Sequence, residues 1–444
     1  MNAPPDSIPA VLPQQPPFTI RARLLTPLRA GGLRWEPDAA LRVDAQGRLE
    51  HIGHGSASDG AFDLRPWVVM PGLVDLHAHL PQLPNAGVGA GLHLLDWLER
   101  YIFPLERGFD RGVANELAPA AFRAFAHAGT TTVVAYGAIW PDSLDACFQA
   151  AETHGIRAVI GKVMMDRLSY DTARQPDEVL ELSVRQSAEL CETWHGRDAG
   201  RLSYAWTPRF AVSCSPQMLA ESARRAEAAG AYWQTHLAED RGEVEEVRRL
   251  FPETTDYLDA YDRAGGLTSR AILAHAIYLS DREVARLAES GAVVAHCPSS
   301  NLFLASGAMP LARYLGEGVK VGLGSDVAAG PDVSLFAAMR AGAYTQNGLH
   351  AMGLADTPAM APGEWLRLGT LGGAEGLGLG DRIGSLEVGK EADLIAVDAS
   401  MTLPLGGMRA ISADGPDEIL SRLIYRCHPD MVQAAWVRGR LLPA

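Results

Sequence analysis

The apolar run Trp67-Val68-Val69-Met70-Pro71-Gly72-Leu73-Val74-Asp75-Leu76 ends in His77-Ala78-His79. Broken only by Pro-Gly, the run reads as a buried strand. Residues two apart on a strand share a face, so both imidazoles are expected to project into one cavity. Two His on one face are half of a zinc site. Alone, His-x-His is a weak signal; its weight comes from what lies downstream.

The strand it closes stands at a boundary between two textures. From Phe18 to Pro66 short apolar stretches alternate with turn signals, as in Leu41-Arg42-Val43-Asp44, the turn Ala45-Gln46-Gly47, and Leu49-Glu50-His51-Ile52. These read as β-hairpins. From Trp67 onward, buried-strand runs such as Thr130–Tyr136, Arg157–Gly161, Ala292–His296 and Val319–Leu323 alternate with amphipathic helical stretches. Beyond Gly384, strands return at Ser385–Val388, Ala392–Val397 and Met431–Val437. The expected architecture is α/β: a (β/α)8 TIM-type barrel over 67–383, with a smaller β-sandwich built from 18–66 and 384–444. The Pro/Gln-rich residues 1–17 are expected to form a loose tail.

The barrel hypothesis gives the later titratable residues a common address. Ala231–Glu239 places His236 at a strand end with Glu239 three residues on, Ala271–His275 ends in His275, and Val321–Asp326 ends in a carboxylate. Barrel enzymes keep their chemistry at these C-terminal strand ends. Imidazole and carboxylate ligands together suit zinc first, and iron or manganese after it. With His77, His79, His236 and Asp326 on one ion, a water can complete the shell. Glu239 then stands where a proton carrier is needed, and His275 where the hydroxide or the substrate can be oriented. Each residue has a bland reading too. Asp326 is a plausible helix N-cap, Glu239-Asp240-Arg241 a plausible acidic helix start, and any single buried His is more often a packed side chain. Gly322 and Gly324 read as flexible turn residues.

Charge and cysteine usage narrow the partners. A formal net charge of −14 repels phosphate backbones and argues against nucleic acid. No apolar run reaches membrane-spanning length, and the N-terminus lacks a secretory pattern. Five cysteines without paired spacing suit a reducing cytoplasm, each expected as a small buried hydrophobe.

The run Val69–His79 resembles the opening metal motif of the amidohydrolase superfamily. More narrowly, the guanine deaminase branch is resembled by Pro81-Gln82, Leu94–Tyr101, Phe103–Glu106, Gly161–Asp166, Thr207–Phe210 with Cys214-Ser215, Gln234–Glu239, Ala295–Leu302 and Gly322–Val327. The resemblance implies one zinc ion per chain at His77, His79, His236 and Asp326, a proton shuttle at Glu239 and a catalytic His275. It implies purine recognition by Gln82 and Arg209 with Phe210 against the ring, and a homodimer. Leu80, Asn85 and Ala329 depart from the family pattern beside the presumed base pocket. The leading reading is hydrolytic deamination of guanine to xanthine and ammonia, a step of purine catabolism. The alternatives are the same chemistry on a pterin, triazine, cytosine or oxidised purine, a binuclear cyclic amidase using a carbamylated Lys162, and a non-catalytic metal-binding protein. His296 is expected as a strand-end scaffold.

Overall fold

Pro71-Gly72 is where the chain changes sheets. Four strands lead to it: β1 (Phe18–Pro27), β2 (Leu33–Val43), β3 (Leu49–His54) and β4 (Phe62–Pro71). Past Gly72, β5 (Leu73–His79) opens the barrel. The run expected as a single strand is thus two strands in two sheets, and the barrel begins at Leu73, not Trp67. The computed structural model describes residues 11–54, 60–355, 359–407 and 415–444. Residues 1–10 of the expected tail lie outside the described residues. Its remainder is anchored, with Trp436 Nε1 donating to Pro13 O at 2.8 Å and Leu441 N to Gln14 O at 3.1 Å.

The barrel strands after β5 are β6 (Thr130–Tyr136), β7 (Arg157–Gly161), the short β8 (Val163–Met164), β9 (Leu202–Pro208), β10 (Tyr232–Leu237), β11 (Ala271–His275), β12 (Val293–His296) and β13 (Lys320–Leu323). Eight of them run parallel in the order β5-β6-β7-β9-β10-β11-β12-β13, with β8 paired to β9. The ring is nearly closed at its C-terminal end, where Asp326 N donates to His77 O at 2.7 Å and His79 N to Val327 O at 2.9 Å. Alternation along the strands sorts the core. Val74, Leu76, Val134, Val159, Ala205, Tyr232, Ile272, Ala274, Val293 and Ala295 fill the lumen. Their neighbours Val133, Ala135, Ile160, Trp233, Leu273 and Val294 pack outward against the helices.

The terminal segments form one separate sheet. β14 (Leu394–Val397), β15 (Val432–Val437) and β16 (Arg440–Leu441) extend it in the order β16-β15-β14-β4-β1-β2-β3. Period-2 patterning gives it two apolar faces. Trp67, Val69, Leu394, Ala396 and Trp436 enter its own core, whereas Val68, Met70, Ile395, Val397 and Val437 join the barrel's core. Ser385–Val388, expected as a strand, is irregular: only Leu386 is inserted in the sheet core, its N–H donating to Thr26 Oγ1 at 2.8 Å, while Val388 is exposed.

A buried ionic knot ties this sheet to the barrel. Arg157 on β7 donates to Glu391 Oε2 at 2.6 Å and to Asp393 Oδ2 at 2.9 Å. Arg382 and Arg438 also donate to Glu391, at 2.7 and 3.0 Å. Burial opposes ionisation of Glu391, but the arginines outweigh it and hold the carboxyl down at about 2.

Among the described residues no helix is long and apolar enough to cross a membrane. All five cysteines are free, and four are buried.

Candidate active site

Simple alternation would have sent the two His the wrong way. Val74 and Leu76 occupy the lumen of β5, so His77 and His79 should fall on the opposite face. The register of β5 against β6 shifts between Asp75 and Ala78, however, with one extra residue on β5. That bulge turns the pair inward. Both rings then lie against Tyr136, at centroid distances of 5.0 and 4.6 Å. His236 needs no such device, since it shares the inward face of β10 with Tyr232 and Gln234. His275 does. Ile272 and Ala274 face the lumen, and a left-handed φ of 74° brings His275 back to stack on His236 at 5.5 Å. Asp326 is likewise left-handed, with φ 47°. Two non-glycine residues in this region at one site store strain of order 1–3 kcal/mol each.

Gly322 and Gly324 are not flexible turn residues. Neither has positive φ, and both are required for close approach. A Cβ on Gly324 would lie 2.8 Å from both Cys297 Sγ and His77 Cβ, and one on Gly322 would lie 2.5 Å from Leu76 Cδ1.

The structure brings His77, His79, His236, His275, Glu239 and Asp326 together, all but His236 nearly inaccessible to solvent. His79 Nε2 lies 3.3 Å from His77 Nε2 and 3.2 Å from His236 Nε2. Asp326 Oδ1 lies 3.2 Å from His77 Nε2 and 3.4 Å from His79 Nε2. Burial holds all three imidazoles below their ordinary range, His79 down to about 4. His236 Nδ1 donates to Arg209 O at 2.7 Å, which leaves its Nε2 with a lone pair aimed at the others. Converging lone pairs and a carboxylate repel one another unless a cation lies between them. Four donors around an ion ~2.0–2.1 Å away sit roughly 3.3 Å apart in a tetrahedron. The observed spacings match that edge, so the residues present fit a divalent ion.

Beside this nest, His275 Nε2 lies 3.3 Å from Glu239 Oε2 and 3.8 Å from Asp326 Oδ2. Its Nδ1 donates to Asn301 Oδ1 at 2.9 Å, which fixes the tautomer and turns a lone pair on Nε2 toward Glu239. Ser306 Oγ donates to Glu239 Oε1 at 3.2 Å. Burial, then the nearby charge of Asp326, pushes the Glu239 carboxyl well above the usual carboxylate range. Burial opposes ionisation of Asp326 as well, but His77, His79 and His275 hold it well below that range. The surroundings thus move two neighbouring carboxyls in opposite directions, the pattern that suits a pair to opposite acid–base roles. The helix-start reading belongs to the next residue along. Asp240 caps the helix Arg241–Leu250, accepting from Gly242 N at 2.8 Å, and Glu239 precedes it. No helix follows Asp326 directly, the next cap being Ser334.

Gln82, Arg209 and Phe210 line the cavity above the nest together with Leu94, Trp97, Leu98 and Ala329. Leu80 and Asn85 are buried beside Gln82 in the turn Leu80–Asn85 and do not line it. Four contributors were not singled out from sequence. Glu106 is completely buried, accepts from Gln82 Nε2 at 2.8 Å and pairs with the Arg209 guanidinium. Asn301, Tyr136 and Ser306 are the others. Tyr136 was findable, since it shares the inward parity of Val134. Glu106 was not, because nothing local distinguishes it from an exposed helical Glu. Lys162 lies elsewhere, its Nζ donating to Ser183 Oγ at 2.8 Å on the surrounding helix Pro176–Trp194. His296 is buried and does not line the cavity; alternation puts it with Val294 on the helix-facing side.

A (β/α)8 barrel with imidazoles and a carboxylate converging at its C-terminal mouth is the architecture of a hydrolase, and the chain belongs to the Amidohydrolase family, which matches residues 68–442. It is an enzyme of the aminohydrolase type. Guanine deaminase of Escherichia coli (strain K12) is 37% identical to it over 86% of this chain and 85% of the relative. Guanine deaminase of Mus musculus is 38% identical over 84% of this chain and 82% of the relative. The solved structure of E. coli guanine deaminase superposes with a TM-score of 0.87 at 33% identity, covering 96% of this chain and 99% of that one. Guanine deaminase from C. acetobutylicum, with guanine bound in its active site, gives the same TM-score of 0.87 at 26% identity and the same coverage of 96% and 99%.

Proposed function

We propose that this chain hydrolyses guanine to xanthine and ammonia using one zinc ion held by His77, His79, His236 and Asp326. The observation that carries the reading is the juxtaposition of that nest with a buried carboxyl, Glu239, 3.3 Å from His275 Nε2 and under a cavity lined by Gln82, Arg209 and Phe210. When bound, a divalent ion acts as a Lewis acid that brings the pKa of water towards ~7 and makes hydroxide available at neutral pH. The chain's own residues do the rest. Glu239 delivers its proton to the ring nitrogen beside the carbon that bears the amine, while hydroxide adds to that carbon. His275 Nε2 and Asp326 Oδ2, both facing Glu239's side of the nest, take up the proton of the added hydroxyl and return it to the amine. The C–N bond then breaks, ammonia leaves and the ring keeps the oxygen. Phe210 lies against the heterocycle, and Arg209 and Gln82 read its edge.

The binuclear alternative loses support from Lys162, whose amine is already engaged by Ser183 outside the lumen. Unpaired cysteines support a cytoplasmic setting, and the family resemblance supports a homodimer. The test is an ammonia-release screen of purified protein against guanine, a pterin and a triazine. Guanine turned over with xanthine as product is expected; release from the pterin or the triazine but not from guanine would overturn the substrate assignment.

A further inference from the structure

Glu106 reaches the cavity wall from the helical segment Phe103–Arg107, far in sequence from everything it touches there. It is 0% exposed: Oε1 accepts from Gln82 Nε2 at 2.8 Å, Oε2 pairs with Arg209 Nη1, and the Tyr170 hydroxyl is a further neighbour of the carboxylate. An ion-paired carboxylate has only lone pairs to offer, so the side of the Gln82 amide that faces it must be the NH2. The other end follows from the geometry. Gln82 lines the cavity, and its Oε1 is buried with no hydrogen-bond partner. A buried carbonyl oxygen without a donor is a standing demand for one.

We propose that Glu106 is the positioning residue that sets the polarity of the recognition edge: it locks Gln82 with its carbonyl toward the ligand while holding Arg209 as the donor beside it. This rests on the deaminase reading above. An acceptor next to a fork of donors fits a ring N–H adjacent to a C=O, a lactam edge. Guanine carries that edge immediately beside its amine-bearing carbon. A 2-amino heterocycle whose neighbouring ring nitrogen has a lone pair instead, such as 2-aminopurine, presents an acceptor to an acceptor. Glu106 therefore selects between 2-amino-lactams and 2-amino-azines without touching either.

The test exchanges polarity while conserving shape. In Glu106→Gln the new amide keeps its oxygen on Arg209 and turns its NH2 to Gln82, which must flip and show NH2 to the cavity. For guanine, kcat/KM should fall about 10–100-fold, mostly through KM, since a donor then faces a donor. For 2-aminopurine it should hold or rise. Adding Gln82→Glu restores an acceptor in the cavity, and guanine turnover should recover to within about tenfold of wild type, a coupling that independent sites do not give. Equal losses on both bases, with no recovery in the double variant, would reduce Glu106 to a structural ion pair. If Glu106→Gln does not fold, Gln82→Met leaves the Arg209–Glu106 pair intact and must still penalise guanine over 2-aminopurine; an unchanged ratio overturns the assignment. Wild-type protein that releases no ammonia from guanine defeats the deaminase reading itself and this assignment with it. Normal wild-type turnover with unshifted ratios defeats this assignment alone.

Discussion

Replacing Glu239 with Gln separates proton transfer from everything else the site does. The carboxyl makes two contacts, accepting from Ser306 Oγ at 3.2 Å and facing His275 Nε2 at 3.3 Å. In the protonated form that burial favours, its OH donates to the His275 lone pair. An amide reproduces both contacts, with Oε1 accepting from Ser306 and NH2 donating to His275. Folding, metal content and guanine affinity should therefore stay near wild type. What the amide lacks is a proton it can give up. General acid–base catalysis contributes on the order of 10²–10⁴ in rate, or about 3–5 kcal/mol of barrier at 1.36 kcal/mol per factor of ten. Loss of kcat within that range is expected. Xanthine formation followed spectrophotometrically, elemental analysis of the same preparation and equilibrium binding of guanine give the three readings. Turnover within tenfold of wild type would show that the proton travels by another route, and metal lost together with activity would make Glu239 a ligand.

Protein purified without added metal should carry about one divalent ion per chain by elemental analysis, and Lys162→Met should not change that; two equivalents with a modified Lys162 would overturn the mononuclear nest. Asn301→Leu removes the acceptor that fixes the His275 tautomer, and kcat should fall ~10–100-fold with metal retained, while unchanged steady-state kinetics would make Asn301 a packing residue. Arg209→Ala strands the buried Glu106 carboxylate, so it should cost about 3–5 kcal/mol of stability as well as guanine turnover, read by denaturant titration; near-wild-type turnover would move Arg209 out of the recognition edge. Glu391 is held at about 2 in the folded state against an ordinary 4.5, so its contribution is complete above pH 4.5 and is lost as pH falls through about 2. The thermal midpoint of wild type should therefore drop more than that of Glu391→Gln over this window, and parallel curves would refute the knot as a source of stability.

The elements that periodicity can express were legible in the sequence. Strand ends bearing His236, His275 and Asp326, and the return of strands past Gly384, follow from where apolar runs stop. What was not legible is how side chains are aimed once alternation is broken. Parity puts His77, His79 and His275 on the wrong face, and a bulge in one case and a left-handed residue in the other correct it. Both corrections depend on the neighbouring strand, which a local pattern does not contain. The boundary at Gly72 was hidden for a related reason: residues on either side are equally apolar because β4 and β5 are both covered on two faces. Glu106 joins the site through tertiary contacts alone, and the resemblance of Phe103–Glu106 to a family motif marked the place without giving the role.

The terminal sheet has a consequence for how this chain is made. β4 is hydrogen-bonded on one side to β1 and on the other to β14, whose first residue, Leu394, follows Pro71 by most of the chain. At roughly 5–20 residues per second, a ribosome spends on the order of tens of seconds between them. Throughout that interval the N-terminal strands are finished and one edge of β4 is open, with Val68 and Met70 lacking the partners that later cover them. An unpaired apolar edge is a template for any passing strand. The protein's yield in a cell should therefore depend on translation speed across the barrel, and slowing synthesis there lengthens the exposure instead of helping it fold.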